Sequence, residues 1–333
     1  MFHRPLCFLK SIGIDGFLIF LALAILLAFW TPEIGSTRGR FSLHDMANYG
    51  VLVIFFFYGI GMSVGQLWRG LMNWRLHLLV HLSSFVLFPM VVLVAYGLWG
   101  TESLRTLWIG VFYVAALPST VSSSVVMVSI ARGNIPAAIF NASISSLLGV
   151  VLTPLWMGLF LTAEASNFDL VDSIRGLVTI VVLPVALGMA LNPLLGDWMA
   201  RNRKYLRYFD QSVVILIVYT SFCDSFAAKA FDGFGPVTLI GLSVGMVILF
   251  FVVYHIVYFL CRLFHFNRED TITVLFCGSK KSLMHGSAMG QVLFASMGNL
   301  GILLLPIMLY HAFQLIIVSV LARRFSRPSS ETE

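Results

Sequence analysis

The sequence predicts an all-α membrane protein with ten transmembrane helices, and three observations carry that expectation. Of the 333 residues, 59% are hydrophobic and 11% charged, about half the charge of an ordinary soluble domain. Apolar runs of about 20 residues, long enough to cross ~30 Å of hydrocarbon as helices, recur from end to end. The basic residues concentrate on one of the two sides that those runs define.

Bounded by charged interruptions, the runs fall at 15–31, 47–66, 76–98, 106–131, 135–162, 174–195, 210–229, 236–262, 271–297 and 300–322. The first follows a basic start, Arg4 and Lys10, as a secretory signal does. Thr31, Pro32 and Glu33 come next in place of a small-residue cleavage site, so it reads as a retained helix. Ten spans put both termini on one side. If that side is cytoplasmic, it holds fourteen Lys and Arg: Arg4, Lys10, Arg69, Arg75, Arg132, Arg201, Arg203, Lys204, Arg207, Arg262, Arg268, Arg323, Arg324 and Arg327. The other side holds five: Arg38, Arg40, Arg105, Arg175 and Lys229. That is the asymmetry of the positive-inside rule. Only Lys280 and Lys281 remain, both inside the ninth span.

The lipid bilayer is therefore the expected partner. Nucleic acid is not, because the residues behind the net charge of +6 are scattered between spans. Cys7, Cys223, Cys261 and Cys277 form no CxxC pair and read as small buried hydrophobes, not as a disulfide framework or zinc site.

The basic cluster Arg201 to Arg207 lies near the middle of the chain and invites a search for repeats. Arg132-Gly133-Asn134 closes the fourth span and Met297-Gly298-Asn299 the ninth, and each following span carries a proline, Pro154 and Pro306. Five spans per half place the halves in opposite orientations, as an inverted repeat requires. The expected halves are 1–165 and 166–325, with 326–333 a cytoplasmic tail.

Two spans are interrupted. The fourth contains LPSTVSSS, Leu117 to Ser124, in which Pro118 removes a helix hydrogen bond and hydroxyls offer replacement partners. The ninth contains FCGSKKSL, Phe276 to Leu283, with Gly278 as its weak point. Paired interruptions point to a midplane site, where unwound backbone exposes carbonyls and helix ends to a ligand. The candidate site residues are Ser119, Thr120, Ser122, Ser123, Ser124, Cys277, Gly278, Ser279, Lys280, Lys281 and Ser282, with Asn141 and Ser143 as polar lining of the fifth span. The alternatives are a kinked helix whose serines bond back to it and a ninth span that begins later, leaving the lysines at the interface. Inside the membrane each lysine costs roughly 2.5 to 3.5 kcal/mol, and such residues face a cavity or a partner. Asp224, within YTSFCDSF, is the expected partner of one of them.

Other signals are weaker. His77 and His81 have helical i, i+4 ligand spacing without an evident third ligand. Gly61 and Gly65 read as a close helix contact. GSKKS lacks the leading glycines of a phosphate loop.

The ten-span pattern, with LPSTVSSSVVMVSIARGN, YGIGMSVGQLWRGLMNWRLHLL and FCGSKKSL, resembles the bile acid:sodium symporter superfamily, in its SBF-like branch of YfeH-type symporters. The resemblance covers nearly the whole chain and implies a panel domain and a core domain, with discontinuous fourth and ninth helices crossing. It implies a multi-pass protein of the bacterial inner membrane with both termini cytoplasmic. Relatives that move bile acids with sodium carry a proline, small residues and then Ser-Asn in the fourth helix. Here Pro118 matches, and Ser122, Ser123 and Ser124 fill the later positions without an asparagine. Gly133 and Pro154 keep the family spacing and place Ala142 where a sodium-liganding hydroxyl is expected, with Asn141 and Ser143 beside it. The ninth helix of those relatives carries a glutamate four residues before a glutamine, and Cys277 and Lys281 align there.

An ammonium where a carboxylate is expected repels sodium. The resemblance therefore implies a transporter of a small organic anion or amphipathic solute whose coupling ion is sodium or a proton. Lys280 or Lys281 then stands in for bound sodium as a tethered cation. Beyond a sodium site, no metal or cofactor is expected, and no enzyme activity. Two other readings stay open: a regulatory or scaffold membrane protein that keeps a transporter fold, and an intramembrane enzyme whose serine is activated by a lysine.

Overall fold

In the computed structural model, which describes residues 16–36, 42–61, 73–120, 122–164, 175–176, 178–294, 297 and 299–326, all regular structure among the described residues is helical. A chain that must satisfy its own backbone inside hydrocarbon has few alternatives. Helix α1 (Gly16–Trp30) is followed by the short α2 (Pro32–Ser36) and by α3 (Leu43–Ile60), which Ser42 caps by accepting the Asp45 N–H at 3.1 Å. Helices α4 (Trp74–Leu82) and α5 (Phe88–Trp99) form one rod, joined through a π-helical turn at Ser83–Leu87. Helices α6 (Arg105–Ala116) and α7 (Ser122–Ile130) flank the first interruption, and α8 (Ile135–Glu164) follows. A second π turn (Val178–Val182) leads into α9 (Leu183–Ala190), then α10 (Asn192–Ala227) and α11 (Pro236–Leu263). Helices α12 (Arg268–Gly278) and α13 (Leu283–Leu293) flank the second interruption, and α14 (Leu300–Ser326) ends the described chain.

Among the described residues, five helices are long and apolar enough to cross a membrane: Leu43–Ile60, Trp74–Trp99, Ile135–Leu161, Pro236–Leu263 and Leu300–Ser326. A sixth is added if Val178–Ala190 and Asn192–Ala227, bent by 98° at Leu191, count as one span. The other expected spans are short, as α1 is, or broken. One expectation needs correction. The basic stretch between the sixth and seventh runs is not a loop, because Arg201 to Arg207 lie within the 36 residues of α10. Their charges are exposed while Leu206 between them is buried, so the segment is an amphipathic helix.

The helices pack in two groups. In one, α3 lies against α9 and α10, and α10 against α1 and α2. Glycine permits the tightest of these contacts: a Cβ on Gly59 would collide with the Val185 carbonyl, and one on Gly188 with the Phe56 carbonyl. Gly61 makes only ordinary contact with Met199, at 3.4 Å, and Gly65 lies outside the described residues. In the second group, α6 packs along α14 and α8 against both flanks of the first interruption. A Cβ on Gly149 would stand 2.7 Å from the Pro118 ring.

The Arg132-Gly133-Asn134 turn ties this group together at one end. Arg132 adopts a left-handed φ of 60°, and Asn134 then caps α8, accepting the Ala137 N–H at 3.1 Å. Asp270, 8% exposed, accepts side-chain amides from Asn73, Asn134 and Asn267 at 3.1, 2.8 and 3.0 Å.

Candidate functional site

Helix α6 stops at Ala116 because Pro118 has no N–H for the Val114 carbonyl. The Leu117 N–H serves both Tyr113 O, at 3.1 Å, and Val114 O, at 3.3 Å. Other elements take the next carbonyls in turn. Lys281 Nζ donates to Ala115 O at 2.7 Å and to Leu117 O at 2.8 Å. Thr153 Oγ1 donates to Ala116 O at 2.8 Å, and the Ser282 N–H to Pro118 O at 2.9 Å. The Ser119 N–H, which a continuous helix would aim at Ala115, goes instead to Ser145 Oγ at 2.9 Å. Every carbonyl from Tyr113 to Pro118 therefore has a donor, three of them from FCGSKKSL. The two interruptions abut.

The second interruption closes by the same means. The Ser279 N–H and Oγ both donate to Leu275 O, at 3.2 and 2.6 Å, and the Tyr310 hydroxyl donates to Ser279 O at 2.7 Å. Gln314 grips the Lys281 backbone on both sides. Its Oε1 accepts the N–H at 2.8 Å, and its Nε2 donates to the carbonyl at 2.7 Å and lies 2.8 Å from His311 Nδ1. Ser282 caps α13, its Oγ accepting the His285 N–H at 3.3 Å.

Both lysines are 0% exposed, yet they take different partners. Lys281 Nζ donates to the two α6 carbonyls and to Ser84 O at 2.7 Å, with the Phe88 ring 4.2 Å away. Lys280 Nζ donates to Ser123 Oγ at 2.8 Å. Ser123 donates to Thr120 Oγ1 at 2.9 Å, Thr120 and Ser124 share a bond of 2.8 Å, and Ser124 donates to Phe276 O at 3.3 Å. These hydroxyls form one directed chain with the ammonium at its head. Among the described residues, the other Lys280 N–H groups meet no hydrogen-bond partner.

The remaining candidates are placed as follows. Cys277 and Gly278 end α12, fully buried, with a Cβ on Gly278 3.3 Å from Ser83. Ser122 opens α7, and its side chain lies outside the described residues. Asn141 is buried, but its Nδ2 donates to Ala137 O of its own helix at 2.9 Å, and among the described residues Oδ1 has no partner. Ser143 bonds back to Ile139 O at 3.1 Å. Ser145, one turn beyond Asn141, is the α8 hydroxyl that reaches the interruption.

Asp224 does not meet either lysine. It lies on the side of α10 that faces α2 and α3, beside Cys223, and its Oδ2 is 3.3 Å from His44 Nε2. Among the described residues no three His, Cys, Asp or Glu side chains are grouped to hold a metal ion. His77 packs on Phe140, with ring centroids 4.3 Å apart.

Sequence reasoning missed Ser145 and Thr153 on α8, and Tyr310, His311 and Gln314 on α14. Their signal was polar residues recurring within an apolar span, in each half the span after the interruption. It also missed the face that α13 and α14 present to the other helix group. The His285 ring stands 4.7 Å from Tyr58 and 6.2 Å from Phe55, and the His311 ring 6.4 Å from Phe17.

The model of the SBF-like CPA transporter family matches residues 15–327. An uncharacterized protein of Pseudomonas aeruginosa is 38% identical over 313 residues, covering 94% of this chain and 93% of that one. YfeH of Escherichia coli, provisionally named a symporter, is 34% identical over 321 residues, covering 96% and 95%. Sodium/bile acid cotransporter 7-B of Xenopus laevis is 30% identical over 321 residues, covering 94% and 92%.

Proposed function

Because this chain belongs to the SBF-like CPA transporter family, we propose that it is a secondary active transporter of a small organic anion or amphipathic solute. It works by alternating access and draws on a sodium or proton gradient across a bacterial inner membrane. The observation that carries this reading is the buried head of the hydroxyl chain, where the Lys280 ammonium spends one N–H on Ser123 and keeps the others for a ligand. A buried cation with unspent donors suits a carboxylate or sulfate, and the N-termini of α7 and α13 add positive potential beside it. In the same reading the halves 1–165 and 166–325 are inverted five-helix repeats whose interrupted helices cross. The α1–α3, α9 and α10 group is then the panel, and the remaining helices are the core.

Uptake of a panel of organic anions into proteoliposomes, with sodium and proton gradients imposed separately, tests the proposal. Lys280→Gln is expected to lower uptake roughly 10–100-fold, the worth of one charge-assisted hydrogen bond. Unchanged uptake in that variant removes Lys280 from the site, and an unresponsive panel leaves the regulatory reading in front.

A further inference from the structure

We propose that Lys281 is a built-in cation, its ammonium filling a backbone carbonyl cage of the kind that holds an alkali-metal ion, so that sodium does not bind between these helices. The cage stands on geometry alone, and only its meaning for coupling rests on the transporter reading above.

Each of the three cage oxygens is left free by a separate backbone event. Ser84 O is free because the π turn sends the Phe88 N–H to Ser83 O, and Pro89, next in line, has no N–H to give. Ala115 O is free because Ser145 has taken the Ser119 N–H. Leu117 O is free because the helix has already ended. All three converge on one nitrogen, at 2.7, 2.7 and 2.8 Å.

Three acceptors match the three N–H groups of an ammonium, whereas a neutral amine would press its lone pair against a carbonyl oxygen. The C-terminal end of α6 contributes negative potential, and the Phe88 ring covers an open side at 4.2 Å. Gln314 fixes the Lys281 backbone from both directions, so the nitrogen is held from its root as well as from its tip.

Neutral carbonyl oxygens that replace a hydration shell are also how proteins bind sodium and potassium. The sodium implied by the relatives named sodium/bile acid cotransporters does not fit here. The oxygens that would bind it are spent on Nζ, and among the described residues no carboxylate pairs with either lysine to offset a second positive charge.

Thermal unfolding of the full chain in lipid nanodiscs tests the cage, in sodium, potassium or choline chloride at equal ionic strength. The wild type is expected to melt at one temperature in all three salts. Lys281→Ala opens the cage and is expected to lose stability in choline and regain it saturably with sodium, potassium or added ethylammonium, a rise of about 2–4 °C. Lys281→Met fills the volume without charge and is expected to show no such rescue. Saturable stabilisation of the wild type by sodium overturns the proposal. So does a folded Lys281→Ala that responds to no cation. Should that variant not fold, binding of radioactive sodium to the wild type decides, and saturable binding sinks the idea. None of these readouts requires transport, so failure of the cage and failure of the transporter reading are distinguishable.

Discussion

One peptide unit separates two lysines with different tasks, because the chain between Ser279 and Ser282 is not helical and the two side chains diverge. Lys280 reaches the Ser123 hydroxyl of α7, and Lys281 the carbonyls of the π turn before α5 and of the end of α6. The residue that fixes this division is Gln314, which pairs both backbone groups of Lys281. Gln314→Leu leaves a buried N–H and a buried C=O unpaired, at about 1–3 kcal/mol each. The expected result is a lower denaturation midpoint in detergent, with Gln314→Glu, which keeps the acceptor, falling between. Equal stability of all three proteins would show that the clamp contributes nothing. The lysine doublet was legible in the sequence because charge in an apolar run stands out without further context. Gln314 was not, since a lone amide 33 residues away carries no periodicity that links it to its partner. Asp224 shows the opposite error: counting embedded charges paired it with a lysine, but the face of α10 it occupies turns it toward His44.

At the level of elements, an interrupted helix survives only if other helices supply what it lacks. Proline identified both the event and its place at Pro118, but the hydroxyl run beside it does not supply the replacement partners: it bonds to Lys280, to itself and to Phe276 O, while Lys281, Thr153 and the Ser282 N–H take the freed carbonyls. The identity of the compensating donors was not legible, because it depends on how α8 and α14 pack. Thr153, on α8, closes the Ala116 carbonyl in this way. Thr153→Val keeps the shape and removes the donor, so it is expected to destabilise the protein by about 1–3 kcal/mol. The check is equilibrium unfolding against Thr153→Ser, which restores the hydroxyl and should recover most of the loss. A similar repair occurs on α5, where Pro89 leaves Phe85 O without its helical partner and the Trp156 indole N–H takes it at 2.7 Å.

For the molecule as a whole, hydropathy located ten apolar stretches and helix lies on each, although among the described residues five or six pass as complete spans. The length of α10 was hidden because four basic residues within seven positions look like a loop to any hydropathy window. On a helix they occupy its exposed face. Fourteen basic residues against five predict a cytoplasmic C-terminus. A green fluorescent protein fused there is expected to fluoresce and an alkaline phosphatase fusion to stay inactive, whereas an active phosphatase would reverse the orientation.

The Lys281 nitrogen also sets what can move. It rivets the π turn before α5, the end of α6 and the start of α13 through three bonds to a single atom, so none of these can be displaced by even an ångström without abandoning a buried partner. Where α13 and α14 face α1 and α3, by contrast, rings meet at an angle: His285 tilted against Tyr58, His311 edge-on to Phe17. Ring contacts of this kind hold less tightly than three hydrogen bonds on one atom. In the alternating-access reading proposed above, the riveted elements would move together, and the two histidines would lie on the boundary they move against.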